Sequence, residues 1–260
     1  GRTQDFTLTY QSQEFYGSIV VATPKTGTTV CFIIIDLKDD FNNQLDNFNS
    51  MLDSFDILLS GLSKQETGPA PAGFQAITFK DTLSHSDGGL DTSSGNWGQS
   101  SYTPSGELSY ELTPSQGPIY DYYADKQLPQ NFALQATASY TGTNDNGYGV
   151  IFRVTADGKF YVFRISGDGF YTAERADVDK LTTLIDWKQS DLIHQDPRVA
   201  NVLTVHGRGG HYTLYINDQQ VDQFDDQTYA DGSVGVIVDN FAQKDAAQFF
   251  FNDYTVGTPK

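Results

Sequence analysis

A single cysteine in 260 residues leaves no partner for an internal disulfide. Cys31 sits in the run Val30-Cys31-Phe32-Ile33-Ile34-Ile35, where a thiol behaves as a small buried hydrophobe. That run is far shorter than the roughly 20 apolar residues a membrane-spanning helix needs. No charged n-region followed by an apolar core opens the chain, so it reads as soluble as it stands, with room for a leader to have been removed upstream. Basic residues are scarce, 16 against 33 acidic ones, for a net charge of −17. Such a balance repels phosphate backbones and anionic lipid surfaces, which excludes nucleic acid and membrane insertion. The chain has one methionine and only five glutamates. No glycine-rich phosphate loop, nucleophile elbow or helix-borne zinc motif occurs.

Aromatic residues and glycine fill the gap. The 15 tyrosines, 18 phenylalanines and 24 glycines favour strands and tight turns. The length suits one large β-domain with a smaller companion. In residues 1–66, Ser18 to Thr23 and Thr28 to Asp36 are β-branched runs around Pro24-Lys25-Thr26-Gly27, a hairpin signal. Phe41, Leu45, Phe48, Leu52, Phe55 and Leu59 then recur at steps of three and four, the apolar stripe of an amphipathic helix. This ββα segment buries too little surface to fold alone, so either the second domain covers it or an upstream piece does, and it is also the candidate surface for a homo-oligomer. It resembles the closing half of PsbP-like α/β domains. Residues 67–73, rich in Gly, Pro and Ala, form the expected linker.

From Phe74 to Gly257, short β-rich runs alternate with turn residues every 8 to 12 positions, the pattern of a sandwich or barrel. Asp157-Gly158, Asp168-Gly169, Gly209-Gly210 and Asn217-Asp218 read as hairpin turns. Period-2 alternation sends Phe132, Leu134, Ala136, Ala138 and Tyr140 to one apolar face. The same rule puts Tyr148, Val150, Phe152 and Val154 in the core and Arg153 outside, then Tyr161, Phe163 and Ile165 in the core and Arg164 outside. Leu181 to Trp187 reads as an irregular segment.

The ordered pieces Gly147-Tyr148-Gly149-Val150-Ile151-Phe152-Arg153, Phe160-Tyr161-Val162-Phe163-Arg164-Ile165, Leu214-Tyr215-Ile216-Asn217, Gly232-Ser233-Val234-Gly235-Val236 and Phe249-Phe250-Phe251-Asn252-Asp253-Tyr254 resemble concanavalin A-like (laminin-G-like) jelly rolls of bacterial surface proteins. The resemblance implies a mainly β chain: an antiparallel jelly-roll β-sandwich over 74–257, preceded by the small ββα segment. It also implies an extracytoplasmic, glycan-facing setting, since the superfamily holds lectins, carbohydrate-binding modules, laminarinase-type glucanases and enzymes on 3-keto-glycosides. Fold does not assign the task among them.

Glucanases of this kind place carboxylates on alternate residues of one strand, because positions i, i+2 and i+4 share a face. The one pair so spaced is Glu107 and Glu111, with Ser109 where an aspartate belongs, in an early strand. His206 and His211 flank the Gly209-Gly210 turn without a carboxylate or third ligand beside them. The resemblance implies a structural calcium, with Asp81 and Asp253 the candidates by position and Asn144-Asp145-Asn146-Gly147 a weaker loop. An abundance of aspartate makes such placements frequent by chance, and no cofactor is required. A sugar groove needs flat aromatic faces and planar polar forks on a rigid sheet. The candidates are Arg153, Arg164, Tyr171, Arg175, Trp187 and Tyr215. The leading expectation is therefore a non-catalytic module binding a polysaccharide on a concave sheet face. A structural or protein-interaction module and a glycoside-active enzyme are the alternatives.

Overall fold

The computed structural model describes residues 2–10, 13–22, 30–37, 73–84, 89–178 and 180–260. The chain forms two compact units, Gly1–Pro69 and Ala70–Lys260. In the first, β1 (Arg2–Tyr10), β2 (Gln13–Ala22) and β3 (Val30–Leu37) make an antiparallel sheet in that order. The expected hairpin is β2 with β3, Val20 opposite Phe32. Strand β1 is an addition to it, because its alternation is confined to Phe6, Leu8 and Tyr10 and its first half is polar. The helix predicted over Phe41 to Leu59, with it the helical part of the likeness to PsbP, and nearly all of the linker lie outside the described residues.

The second unit is a two-sheet antiparallel sandwich. Its strands are β4 (Phe74–Asp81), β5 (Ser94–Gly95), β6 (Gly98–Tyr102), β7 (Leu108–Leu112), β8 (Gln116–Tyr122), β9 (Asn131–Gly142), β10 (Asn146–Val154), β11 (Phe160–Ile165) and β12 (Phe170–Asp177). They are followed by β13 (Lys180–Gln189), β14 (Asn201–Arg208), β15 (His211–Ile216), β16 (Gln219–Asp225), β17 (Ser233–Asn240) and β18 (Ala247–Pro259). One sheet runs β13-β12-β11-β10-β17-β8. The other runs β16-β15-β14-β9-β18-β7-β6-β5, with β4 also paired to the second half of β18.

Between the sheets lies an aromatic core. Phe152 and Tyr161 sit 5.4 Å apart, Tyr161 and Tyr212 5.1 Å, Tyr212 and Phe224 5.0 Å. Such offset pairs are favoured over face-to-face stacking. The residues that alternation assigned inward on β9, β10 and β11 are buried there, except Val154, which the bulge at Arg153 turns to the outer face. The hairpin turns also form, and Asn217 and Asp218 both take left-handed φ (49° and 65°), the geometry of a two-residue turn matched to strand twist.

A buried amide ties the 190–200 loop to the sandwich. Asn201 donates to the His194 carbonyl and the Tyr148 hydroxyl, and its Oδ1 accepts from the His194 N–H and the Asn217 amide. Asn201→Ala strands several of these groups away from water. A loss of about 2 kcal/mol in urea unfolding, with the m-value unchanged, is expected.

One expectation fails outright. Leu181 to Trp187 is not irregular: it is the body of the edge strand β13. Register shifts opposite Tyr171, Ala173 and Glu174 break its alternation, which is why period counting passes over it.

Candidate functional site

The outward face of the six-stranded sheet carries the densest chemistry in the sandwich. Its floor is a buried apolar patch of Ile151, Val154, Phe160, Val162, Ala176 and Ile237. Around the floor stand four aromatic rings, each between 37% and 40% exposed: Tyr120 and Tyr122 on β8, Trp187 on β13 and Phe241 just after β17. The face is concave. Tyr120 on β8 and Phe160 on β11 have ring centroids 4.8 Å apart, although β17 and β10 lie between those strands. On a flat sheet such strands stand about 14 Å apart.

Arg164 holds one end of the floor. Its guanidinium pairs with Glu174 of β12 (2.6 Å) and with Asp239 of β17. The rings of Trp187 and Phe241 lie 5.5 and 5.7 Å from it, within cation–π range. To reach Asp239, Arg164 must lie across β10, and two glycines leave the space. Gly149 is opposite Arg164 and Gly147 is opposite Asp239. A Cβ on Gly149 would fall 2.9 Å from Arg164 Cβ, and one on Gly147 3.6 Å from Arg164 Cδ. Burial pushes Asp239 up to about 6, against the pull of Arg164 and with Glu174 adding to the rise. Burial likewise raises Glu174 against Arg164.

Of the six predicted ligand residues, the structure brings Arg164 and Trp187 together here and places four elsewhere. Arg153 was expected on the outward face, but a β-bulge makes it the unpaired residue between Phe152 and Val154, and it turns inward to 2% exposure. Tyr171 is opposite Ile165, a core position, and its hydroxyl reaches the Val221 carbonyl. Arg175 is opposite Tyr161, so it too points to the inner side, where it pairs with Asp226 at 2.6 Å. Tyr215 belongs to the other sheet and lies 4.8 Å from His206.

The two calcium candidates face opposite sides of β4 and β18. Asp81 accepts from the Leu83 N–H and the Tyr123 hydroxyl, while Asp253 lies 3.7 Å from Lys80 Nζ on the outer side. Among the described residues no cluster of three or more His, Cys, Asp or Glu side chains is arranged to hold a metal ion. Glu107, just before β7, pairs with Arg198, and Glu111 within β7 of the nine-stranded sheet accepts from Gln99. His206 packs against Tyr215, while His211 bonds at 2.8 Å to Asp225 of β16, a carboxylate that the sequence did not place beside it.

Sequence reasoning missed Tyr120, Tyr122, Glu174, Asp239 and Phe241. A signal existed for the charged ones: Asp239 follows Val236-Ile237-Val238, and Arg164 sits between Phe163 and Ile165. A charge embedded in a strand otherwise apolar needs a partner.

No protein-family model and no curated protein matches the chain. Solved structures do. A β-glucanase of Bacillus licheniformis aligns with a TM-score of 0.53 and 10% identity, over 71% of this chain and 99% of its own. A Bacillus subtilis protein of unknown function with a galectin-like fold gives 0.51 and 12%, over 72% and 97%. The carbohydrate-binding module CBM66 of Bacillus subtilis gives 0.48 and 13%, over 70% and 97%. The fold of the second unit is a concanavalin A-like jelly roll.

Proposed function

We propose that the sandwich is a non-catalytic extracytoplasmic recognition module that binds a polysaccharide along the concave face of the six-stranded sheet. The carrying observation is the set of four part-exposed rings, Tyr120, Tyr122, Trp187 and Phe241, around a rigid concave floor. Pyranose rings present an apolar C–H face that stacks on such rings. A β-glucanase shares the fold, which makes β-glucans the first ligands to try. The extracytoplasmic setting rests on the resemblance to jelly rolls of bacterial surface proteins.

A hydrolytic reading draws on Glu174 and Asp239, two carboxyls raised by burial on the same face. Glycoside hydrolysis needs both carboxyl groups in contact with the sugar. Here each is less than a tenth exposed and is held by Arg164, the arrangement of a scaffold.

Affinity electrophoresis of the whole chain through gels containing β-glucans, with and without calcium, tests binding and the expected ion together. Trp187→Ala and Tyr122→Ala are each expected to weaken retardation by about fivefold to tenfold while leaving the melting temperature nearly unchanged. Absence of binding to every polysaccharide on a broad glycan array, or full affinity in both variants, overturns the proposal. Sugar release by the wild type that Glu174→Gln abolishes establishes the hydrolytic reading instead.

A further inference from the structure

We infer that the sandwich carries a second site, apart from the concave face: a seat for a small monocarboxylate at the end of the sandwich where Arg153 is buried. Arg153 adopts a left-handed backbone, φ 55°, which residues other than glycine, asparagine and aspartate rarely do. The bulge between Phe152 and Val154 and this φ together aim the side chain inward. Bulges that re-aim one side chain cluster beside functional sites.

The charge delivered there is not neutralised. The guanidinium donates to the carbonyls of Leu128 and Gln130, each at 3.0 Å, and lies 4.9 Å from the Phe132 ring. The Tyr212 hydroxyl is its remaining side-chain partner. All of these are neutral, and the buried Nε–H has no acceptor. Among the described residues the only other buried cation is Arg164, and it has two carboxylates. Asp226, at the same end of the sandwich, is already engaged by Arg175, Tyr161 and the Thr228 N–H. A buried charge is ordinarily paired, and in a chain of net charge −17 an unpaired buried cation stands out.

Space for the missing anion adjoins it. A cavity of 170 Å³ is walled by Arg153, Gln130, Tyr212, Gln227, Tyr229 and the Gly209-Gly210 turn. At about 30 Å³ per water, that volume holds a group between acetate and a single sugar ring in size. The guanidinium fork matches the two oxygens of a carboxylate, and the neighbouring amides suit hydroxyl groups. One positive charge balances one negative one. A dianion would leave excess negative charge beside Asp226, so the ligand is a singly charged carboxylate no larger than a sugar acid.

The test is a titration of the uniformly labelled whole chain with D-glucuronate, followed by amide resonances, with acetate, D-glucose and inorganic phosphate as the other arms. Saturable shifts at Gly209, Gly210, Gln227 and Tyr229 are expected with glucuronate and none with glucose. Shifts with acetate at the same amides show that the carboxylate alone suffices; shifts with glucuronate alone show that the sugar ring is also read. Gln227→Trp plugs the cavity mouth from an exposed position without touching Arg153, and is expected to weaken binding by about tenfold or more. Arg153→Met is the companion variant, read only if its melting curve stays cooperative. No saturable shift with either carboxylate, equal shifts with phosphate, or undiminished binding in Gln227→Trp overturns the inference. The glucan assay on the concave face is independent of each of these outcomes.

Discussion

Arg164→Met is expected to destabilise the sandwich by about 3–5 kcal/mol at pH 7, because it leaves two buried carboxyl groups without their cation. The loss is also expected to depend on pH, with a sign set by the protonation of Asp239 and Glu174. Asp239 ionises near 6 in the fold and near 3.8 when unperturbed, so the folded chain binds its proton more tightly than the unfolded chain does. A group of this kind makes the fold more stable as pH falls from about 7 through 6 toward 4, and costs stability above 6. Removing Arg164 takes away the cation that pulls both carboxyls down, so both rise further. The gap between variant and wild type is therefore widest at pH 7–8 and narrows as pH falls through 6, where Asp239 takes up its proton. Urea melts at several pH values measure it. A gap that stays constant across that range, or one below about 1 kcal/mol at pH 7, contradicts the reading of a cation-clamped pair. The triple variant Arg164→Met, Glu174→Leu, Asp239→Leu is expected to recover most of the loss, since buried ion clusters are often replaceable by apolar groups of similar size.

The clamp also explains where the rings of Trp187 and Phe241 stand. Trp187 comes from an edge strand and Phe241 from the residue after a strand, positions that would ordinarily be loosely held. Arg164 sits against both rings, and they meet edge-on at 6.3 Å. The buried charges thus supply rigidity to an otherwise mobile pair of stacking surfaces. The two carboxylates hold the arginine, and the arginine holds the rings.

The sandwich itself was legible because its signal is local: Phe132 to Tyr140, and Tyr148 with Val150 and Phe152, each state their facing within one strand. The site was not, because three kinds of information are absent from a single strand. Strand order decides that Glu174 and Asp239, far apart in sequence, converge on one arginine across β11, β10 and β17. Sheet membership decides that Tyr215 is on the far side of the sandwich from Arg164. Bulges decide the rest: one extra residue turns Arg153 from outward to buried, and shifts in β12 and β13 hide a strand that alternation alone would have found. Parity puts Tyr171, Ala173 and Arg175 on one face of β12 without saying which face that is. They lie on the same face as Ile165 and Tyr161, the inner one, while Glu174 between them in pattern takes the outer.

Gly235→Val is the second substitution expected to act strongly, and it tests whether the concave face depends on close backbone packing. A Cβ at Gly235 would fall 1.9 Å from the Asp121 carbonyl oxygen and 2.7 Å from Tyr122 Cα, so the obstacle is the backbone of β8 and not a movable side chain. Strand β8 pairs only with β17 and lies at the sheet edge, which leaves it free to be pushed away. Forcing the β8 backbone off β17 to make that room costs about 3 kcal/mol. The loss is expected to concentrate in β8, with faster hydrogen exchange at Ile119 to Tyr122 and ordinary protection in β9 and β14. Because β8 carries Tyr120 and Tyr122, glucan retardation should fall at least as far as in Tyr122→Ala. Gly147→Ala is the control: its Cβ would meet the Phe241 ring edge at 3.0 Å, a contact that a side chain can relieve, and under about 1 kcal/mol is expected. If Gly235→Val melts like the wild type and binds as well, β8 is not held as tightly against β17 as this packing requires, and the ring platform it carries is not the binding surface.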